Sequence, residues 1–346
     1  MGVAVQRRVT IVDVARAAGV SASTASRVLN ARGGDIRISD ATRESVLQAA
    51  QRLGYRPNPF AAALRTQRTG VIGVIVRDLC DPFLNLLGRA VQQAARAQGV
   101  DLLFAHAEYD LAVVGQHIAF MHSHWFDGLL LLGDLPGDQT IVATLRQANT
   151  PFVAVACGQE AAGPMVNVDE AAGVALALDH LWGLGHRRIA FLGNLEHGGV
   201  HERLQLFARY CAEHGLAPRD DWLRTCANSR GAALEAAQHL LSLAQPPSAI
   251  LCATDLAALG AMSGVQRLGL RVPGSVSIIG FDDIAGAADA CPALTTICQP
   301  VGELAAQAVT LLLGLIDGTA TSDAARRVLL RPTLVVRESC AAPGEG

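Results

Sequence analysis

The sequence contains no lysine: all 28 basic side chains are arginine. That absence is read as coding bias rather than as recognition chemistry, although planar guanidinium forks do suit phosphate and guanine. Aromatic residues are scarce, with nine Phe, three Trp and three Tyr, so few ring faces are available to stack on a pyranose. The eight cysteines, at positions 80, 157, 211, 226, 252, 291, 298 and 340, form no C-x-x-C pair. They read as reduced core thiols of a cytosolic protein. The opening MGVAVQRR has no apolar run of signal-peptide length, and no stretch reaches the roughly eighteen apolar residues of a membrane span. The expectation is a cytoplasmic protein without a membrane partner. G-x-S-x-G, a Walker loop, a G-x-G-x-x-G after a strand and metal-ligand spacings are all missing. No enzyme activity, metal or cofactor is therefore expected, and His122 and His124 beside Trp125 read as surface histidines rather than ligands.

What is present divides the chain by charge. Residues 1–68 hold eleven Arg against Asp13, Asp35, Asp40 and Glu44, an excess of seven positive charges within a chain whose net charge is -3. A basic head on an acidic body is expected where one domain meets phosphate and the other must not. With 51% hydrophobic residues in 346 positions, the chain can bury a large core and should form a small domain followed by a larger domain of two lobes.

In the head, Thr10 and Asp13 make a capping box that starts a helix at Ile11. Ile11, Val14, Ala15 and Ala18 recur at helical spacing, and Gly19 supplies the left-handed stop. Ser21 caps a second helix whose buried stripe is Ala25, Val28 and Leu29, leaving Ala22, Ser23, Ser26, Arg27 and Asn30 outside. Side chains this short let a helix sit deep in a major groove, with Arg27 as the long donor that can take guanine O6 and N7 together. A third helix is expected over Asp40 to Leu53, capped by Ser39 and stopped by Gly54, with Val46, Leu47, Ala50 and Leu53 closing the core. The loop ARGGDIRI lies between the second and third helices. Beyond them, Pro57, Asn58 and Pro59 frame a helix of under two turns, Phe60 to Leu64, too short to be stable without a partner.

The stretch TIVDVARAAGVSASTASRVLN resembles the N-terminus of the lactose-repressor (LacI/GalR) family of bacterial transcription regulators. The family pattern T-I-x-D-V-A-x-x-A-G-V-S-x-x-T-V-S-R-V-L-N is met except that Ala25 stands where valine is usual. Against that pattern ARGGDIRI is about three residues longer than most members show. The resemblance implies a DNA-binding regulator, favouring a repressor, that reads a palindromic operator as a homodimer. Thr10, Ser21, Ala22, Ser23, Thr24, Ser26, Arg27, Asn30, Tyr55 and Asn58 form the DNA-facing set. Phe60 to Leu64 becomes the hinge helix, with Leu64 as the wedge between base pairs and Arg65 as its minor-groove neighbour.

From Val71 the chain alternates short apolar runs, read as strands at VIGVIV, DLLFAH, GLLLL and PFVAVA, with amphipathic stretches, one of them a helix expected over Glu202 to His214. This is the βαβα pattern of parallel sheets, in two successive rounds. LGHRRIAFLG, LRVPGSVSIIGFDD, LTTICQP and LVVRES resemble further landmarks of the same family. They imply a two-lobed α/β domain like a periplasmic binding protein, with Rossmann-like lobes and a ligand cleft between them. The expected organisation is a helix-turn-helix head over 1–57, hinge helix and linker over 58–69, effector and dimerisation domain over 70–340, and a tail over 341–346. The cleft should lie at the carboxyl ends of the strands, which singles out Asp78, Asp81, Phe83, Arg203, Asp255, Asp282 and Gln299, with Asp169 near the lobe junction. By resemblance Arg203, Asp282 and Gln299 match effector-contacting positions. Thr254, also in the expected site, stands where Asn is usual; Leu206 replaces a common Gly, and Asn228 occupies a place often aromatic. The effector is expected to be a sugar or related metabolite. The alternative is a cytosolic small-molecule-binding protein or sugar-metabolic enzyme carrying an accessory DNA-binding head.

Overall fold

The computed structural model describes residues 9–29, 38–55, 68–122, 126–135, 137–158, 163–194, 198–216, 219–320 and 327–344. The chain divides into two compact units, residues 1–69 and 70–346.

The first unit packs α1 (Ile11–Ala18), α2 (Ala22–Leu29) and α3 (Asp40–Leu53). Thr10 and Asp13 form the reciprocal capping box, and Gly19 closes α1 in the left-handed region at φ 68°. Val14, Ala15, Ala25, Val28, Val46, Ala49 and Ala50 make the core. Leu47, expected in that core, is instead 49% exposed. Val46, Ala49, Ala50 and Leu53 already fill the i, i+3, i+4, i+7 stripe, and Leu47 is turned about 100° away from Val46. The expected hinge helix, with Asn58, Leu64 and Arg65, lies outside the described residues, as does Asn30.

The second unit contains two six-stranded sheets. The first lobe begins with β1 (Val71–Val76), α4 (Pro82–Ala97), β2 (Asp101–His106), α5 (Leu111–His122) and β3 (Gly128–Leu132). It continues through α6 (Asp138–Gln147), β4 (Phe152–Val155) and β5 (Met165–Val168). The second lobe holds α7 (Glu170–Gly183), β6 (Ile189–Gly193), α8 (Gly198–Glu213), β7 (Leu223–Thr225), α9 (Arg230–Leu241) and β8 (Ala249–Cys252). After these come α10 (Asp255–Arg267), β9 (Ser277–Asp282), α11 (Ala285–Asp289) and β10 (Thr295–Cys298). Then α12 (Val301–Ile316) and β11 (Arg327–Leu330) return to the first lobe and β12 (Thr333–Val335) to the second.

The sheet orders are β11-β5-β4-β3-β1-β2 and β12-β10-β9-β8-β6-β7. Each lobe therefore carries the doubly wound 2-1-3-4-5 order, with a late strand added to its edge. β11 joins β5 in parallel, whereas β12 runs antiparallel to β10. Strands covered on both faces by helices need continuous apolar runs, which GLLLL and AILC provide; every residue of β3 and β8 is buried. α12 buries Leu304, Ala305, Ala308, Val309 and Leu312 against the first sheet, tying this late helix to the first lobe.

Sequence and structure differ at three further points. α8 begins at Gly198 rather than at Glu202, since its Gly-Gly start is a poor helix former and hides the first turn. β5 and α11, four and five residues long, carry too little periodicity to be recognised. Cys80 and Cys291 are exposed, so they are not core thiols.

Candidate functional sites: a recognition helix and an inter-lobe cleft

On α2 the outward face is Ala22, Ser23 and Arg27, with Ala22 and Ser23 exposed and Thr24 and Ser26 beside them. Ser21 positions the helix start by accepting the Thr24 amide at 3.1 Å. The result is a low surface on which Arg27 is the one long basic side chain. Thr10 is exposed, but its hydroxyl donates to Asp13 Oδ2 at 2.7 Å as part of the cap. Tyr55 lies half-buried against the head core, its amide bonded to the Ala50 carbonyl at 2.9 Å.

Between the lobes, the carboxyl ends of the strands converge on a small cavity of about 40 Å³. From the second lobe, Arg203 on α8 donates through Nε and Nη2 to the two oxygens of Glu170 at 2.6 and 2.9 Å. Its Nη1 donates to the Ala253 carbonyl at 2.5 Å and stands 3.8 Å from Asp282 Oδ1. Its guanidinium carbon lies 3.6 Å above the Phe281 ring centroid. Gln299 Nε2 donates to Asp282 Oδ1 at 2.8 Å. Asp282 sits at the end of β9 with φ 128°. Strain of this kind in a non-glycine residue persists only where its surroundings fix it, here the Arg203 and Gln299 contacts.

The first lobe contributes Arg77, Asp81, Phe83 and Asp134. Arg77 and Asp134 follow β1 and β3, the two strands between which the winding reverses, where doubly wound sheets place ligands. Arg77 Nη2 donates to Asp81 Oδ2 at 2.6 Å, and its Nη1 lies 4.0 Å from Asp134 Oδ2. Both carboxylates reach across the cleft. Asp81 Oδ2 accepts from Asn228 Nδ2 at 3.2 Å, and Asp134 Oδ2 accepts from the Gly199 amide at 3.1 Å. Asn228 in turn accepts from the Thr254 hydroxyl at 3.0 Å.

Burial decides the protonation balance. It pushes the Asp282 carboxyl well above the usual carboxylate range, with Arg203 opposing. Burial works against the charge on Arg203, but Glu170 and then Asp282 outweigh it, and its pKa rises above the ordinary guanidinium value. Asp255 is pushed up to about 6 by burial, against the opposing bonds from Thr296 and the Ile284 amide.

The expected effector set is thus divided by the structure. Asp81, Phe83, Arg203, Thr254, Asp282 and Gln299 line the cavity. Asp255 does not: fully buried, it accepts from Thr296 Oγ1 at 2.5 Å and the Ile284 amide at 2.9 Å, joining α10 to the β9 and β10 ends. Asp78 turns away toward Tyr109, which donates to it at 3.1 Å, and toward His106 at 3.6 Å. Asp169 caps α7 through the Ala172 amide, and its neighbour Glu170 enters the cleft instead. Arg77, Asp134 and Glu170 escape a reading of the sequence, in which Asn228 stands out only as a missing aromatic. Arg77 and Asp134 were available to the strand-end rule, since each follows an apolar run by one or two residues.

The match to known proteins covers both units. Residues 10–58 match the family model for bacterial regulatory proteins of the lacI family, and residues 178–340 match the periplasmic binding protein-like domain. The HTH-type transcriptional repressor CytR of Escherichia coli K12 is 34% identical over 334 residues, covering 95% of this chain and 96% of that protein. The chain belongs to the LacI family. A second relative, the ribose operon repressor of Haemophilus influenzae, is 33% identical over 95% of this chain and 98% of its own length. Among solved structures, a lac repressor dimer bound to operator and an anti-inducer superposes with a TM-score of 0.88 at 29% identity, covering 97% of this chain and all of that one. Its similarity extends the LacI assignment to the complete two-unit architecture.

Proposed function

We propose that this LacI family chain is a transcriptional repressor that binds a palindromic operator as a homodimer and is controlled by a small molecule in the inter-lobe cleft. The observation that carries the reading is the α2 surface, short and polar with Arg27 as its long donor, on a basic head. Relatives named as repressors, and a lac repressor dimer on its operator, support the same assignment. The proposed division is 1–57 for DNA binding, 58–69 for the hinge, 70–340 for effector binding and dimerisation, and 341–346 as a tail. Asn30, Asn58, Leu64 and Arg65 join the DNA-facing set by sequence alone. A regulator rather than an enzyme is inferred from the relatives' names. The cytoplasm is the inferred location; among the described residues, no helix is long and apolar enough to cross a membrane.

A sugar-like effector is supported by the ribose operon repressor relative and by the mixture of carboxylates, guanidiniums and amides in the cleft. Pairing of two copies is supported by β2, an edge strand of the first sheet that exposes Leu103 and Phe104. The test of the DNA reading is selection of bound duplexes from a random library, followed by titration of the Arg27→Ala variant. Two-fold symmetric sites are expected, with Arg27→Ala losing about 1–3 kcal/mol and relaxing preference at one base pair of each half-site. Enrichment of asymmetric sites, or an equal loss on random DNA, would overturn the assignment of α2 as reader.

A further inference from the structure

Arg77 follows β1 directly, with its side chain only 9% exposed. Its Nη2 and Nη1 face Asp81 and Asp134, while its buried Nε–H has no hydrogen-bond partner among the described residues. An unmade bond from a buried guanidinium donor is costly. No hydrogen bond among the described residues uses that donor, and the residue it belongs to borders the cavity. Arg77, Asp81 and Asp134 all stand on the first lobe, so a separation of the lobes, which a molecule larger than the 40 Å³ space would require, need not break the contacts among them.

The charges around the cavity decide what such a molecule can carry. Arg77 and Arg203 face Asp81, Asp134, Glu170 and Asp282, and each guanidinium already has a carboxylate oxygen at 2.6 Å. A phosphate or carboxylate entering here must evict one of those partners or lie beside carboxylates, with no cation among the described lining residues that lacks a carboxylate partner. A hydroxyl has no such conflict: it accepts from Arg77 Nε while donating to an oxygen of Asp81 or Asp134.

We propose that Arg77, Asp81 and Asp134 form a specificity element selecting an uncharged, hydroxyl-bearing effector over its phosphorylated counterpart, with Arg77 Nε–H as the donor to that ligand. The proposal rests on the cleft being the effector site.

The test uses full-length protein and calorimetric titration with ribose, glucose, galactose and adenosine, each beside its phosphate monoester. At least one neutral compound binds, and its monoester is weaker by on the order of a hundredfold. Arg77→Gln weakens the neutral compound by about tenfold. Asp134→Asn, which keeps the side-chain shape and guards against misfolding of the Arg77 variant, narrows the gap between the two compounds. Equal or tighter binding of a monoester, an unchanged gap in Asp134→Asn, or binding of no neutral member would overturn the proposal. Parallel operator titrations separate the two levels. A monoester that binds and shifts operator affinity sinks the specificity element but leaves the regulatory reading, whereas a neutral compound that binds without moving operator affinity does the reverse.

Discussion

Lobe for lobe the strands run in the same order, yet of the thirteen buried polar or charged side chains among the described residues only Arg77, Asp81 and Asn167 stand in the first lobe. The second lobe carries the remainder, and most of them are bonded to one another or to its own backbone. Asp255 joins Thr296 and the Ile284 amide, His186 meets Ser248 and Ser277, and Arg203 is held by Glu170 and Ala253. Topology alone therefore does not assign roles. The second lobe uses buried polar groups to fix its own geometry, while the first keeps an apolar interior and presents a small charged cluster at its rim. Bonds such as Asn228 to Asp81 and Gly199 to Asp134 then join a furnished, rigid face to a sparse one.

If that contrast is right, truncation should hurt stability far more in the second lobe. Arg203→Ala leaves Glu170 and Asp282 buried beside no guanidinium, and a loss of about 3–5 kcal/mol is expected in urea unfolding of the full chain. A loss under about 1 kcal/mol would show that the second lobe does not depend on its polar network.

A pH profile sharpens the same point. Asp255, pushed by burial to about 6, holds its proton more tightly folded than unfolded. Its contribution to stability is therefore present below the ordinary carboxylate value and is lost as pH rises through about 6, and the raised Asp282 acts in the same direction. Asp255→Asn should flatten the slope of the urea midpoint between about pH 4 and 6. An unchanged slope would remove Asp255 from the titration.

The smallest effect is expected at the junction. Asn228→Ala removes the bond it donates to Asp81 and the one it accepts from the Thr254 hydroxyl, so unfolding should move by about 0.5–1.5 kcal/mol. Ligand affinity is expected to change with it, because the substitution alters the bridge between lobes. A large stability loss with unchanged ligand binding would place Asn228 in the structural network instead.

Much of this was legible in the residues. The capping box at Thr10, the left-handed Gly19 and the apolar runs VIGVIV, DLLFAH and GLLLL set element bounds that the structure reproduces. Such features are local, and local chemistry determines them. Side-chain direction is not local. Asp169 and Glu170 are adjacent, and only the packing of α7 sends the second rather than the first into the cleft. Asp255 sits at a strand end as an effector contact would, but the open space above Gly280 admits its carboxylate and turns it inward; a Cβ on Gly280 would collide with Asp255 Oδ1. Arg77 was hidden for another reason, since a lone arginine after an apolar strand looks like a solvated end until Asp81 and Asp134 are seen around it.

The most direct test of the central claim, that the cleft governs DNA binding, is an operator titration with and without the neutral compound that calorimetry finds in the cleft. The expected result is a change in operator affinity of about 5- to 150-fold, matched by an equal change in the compound's affinity when operator is present. A compound that saturates the cleft while both affinities stay the same would contradict it.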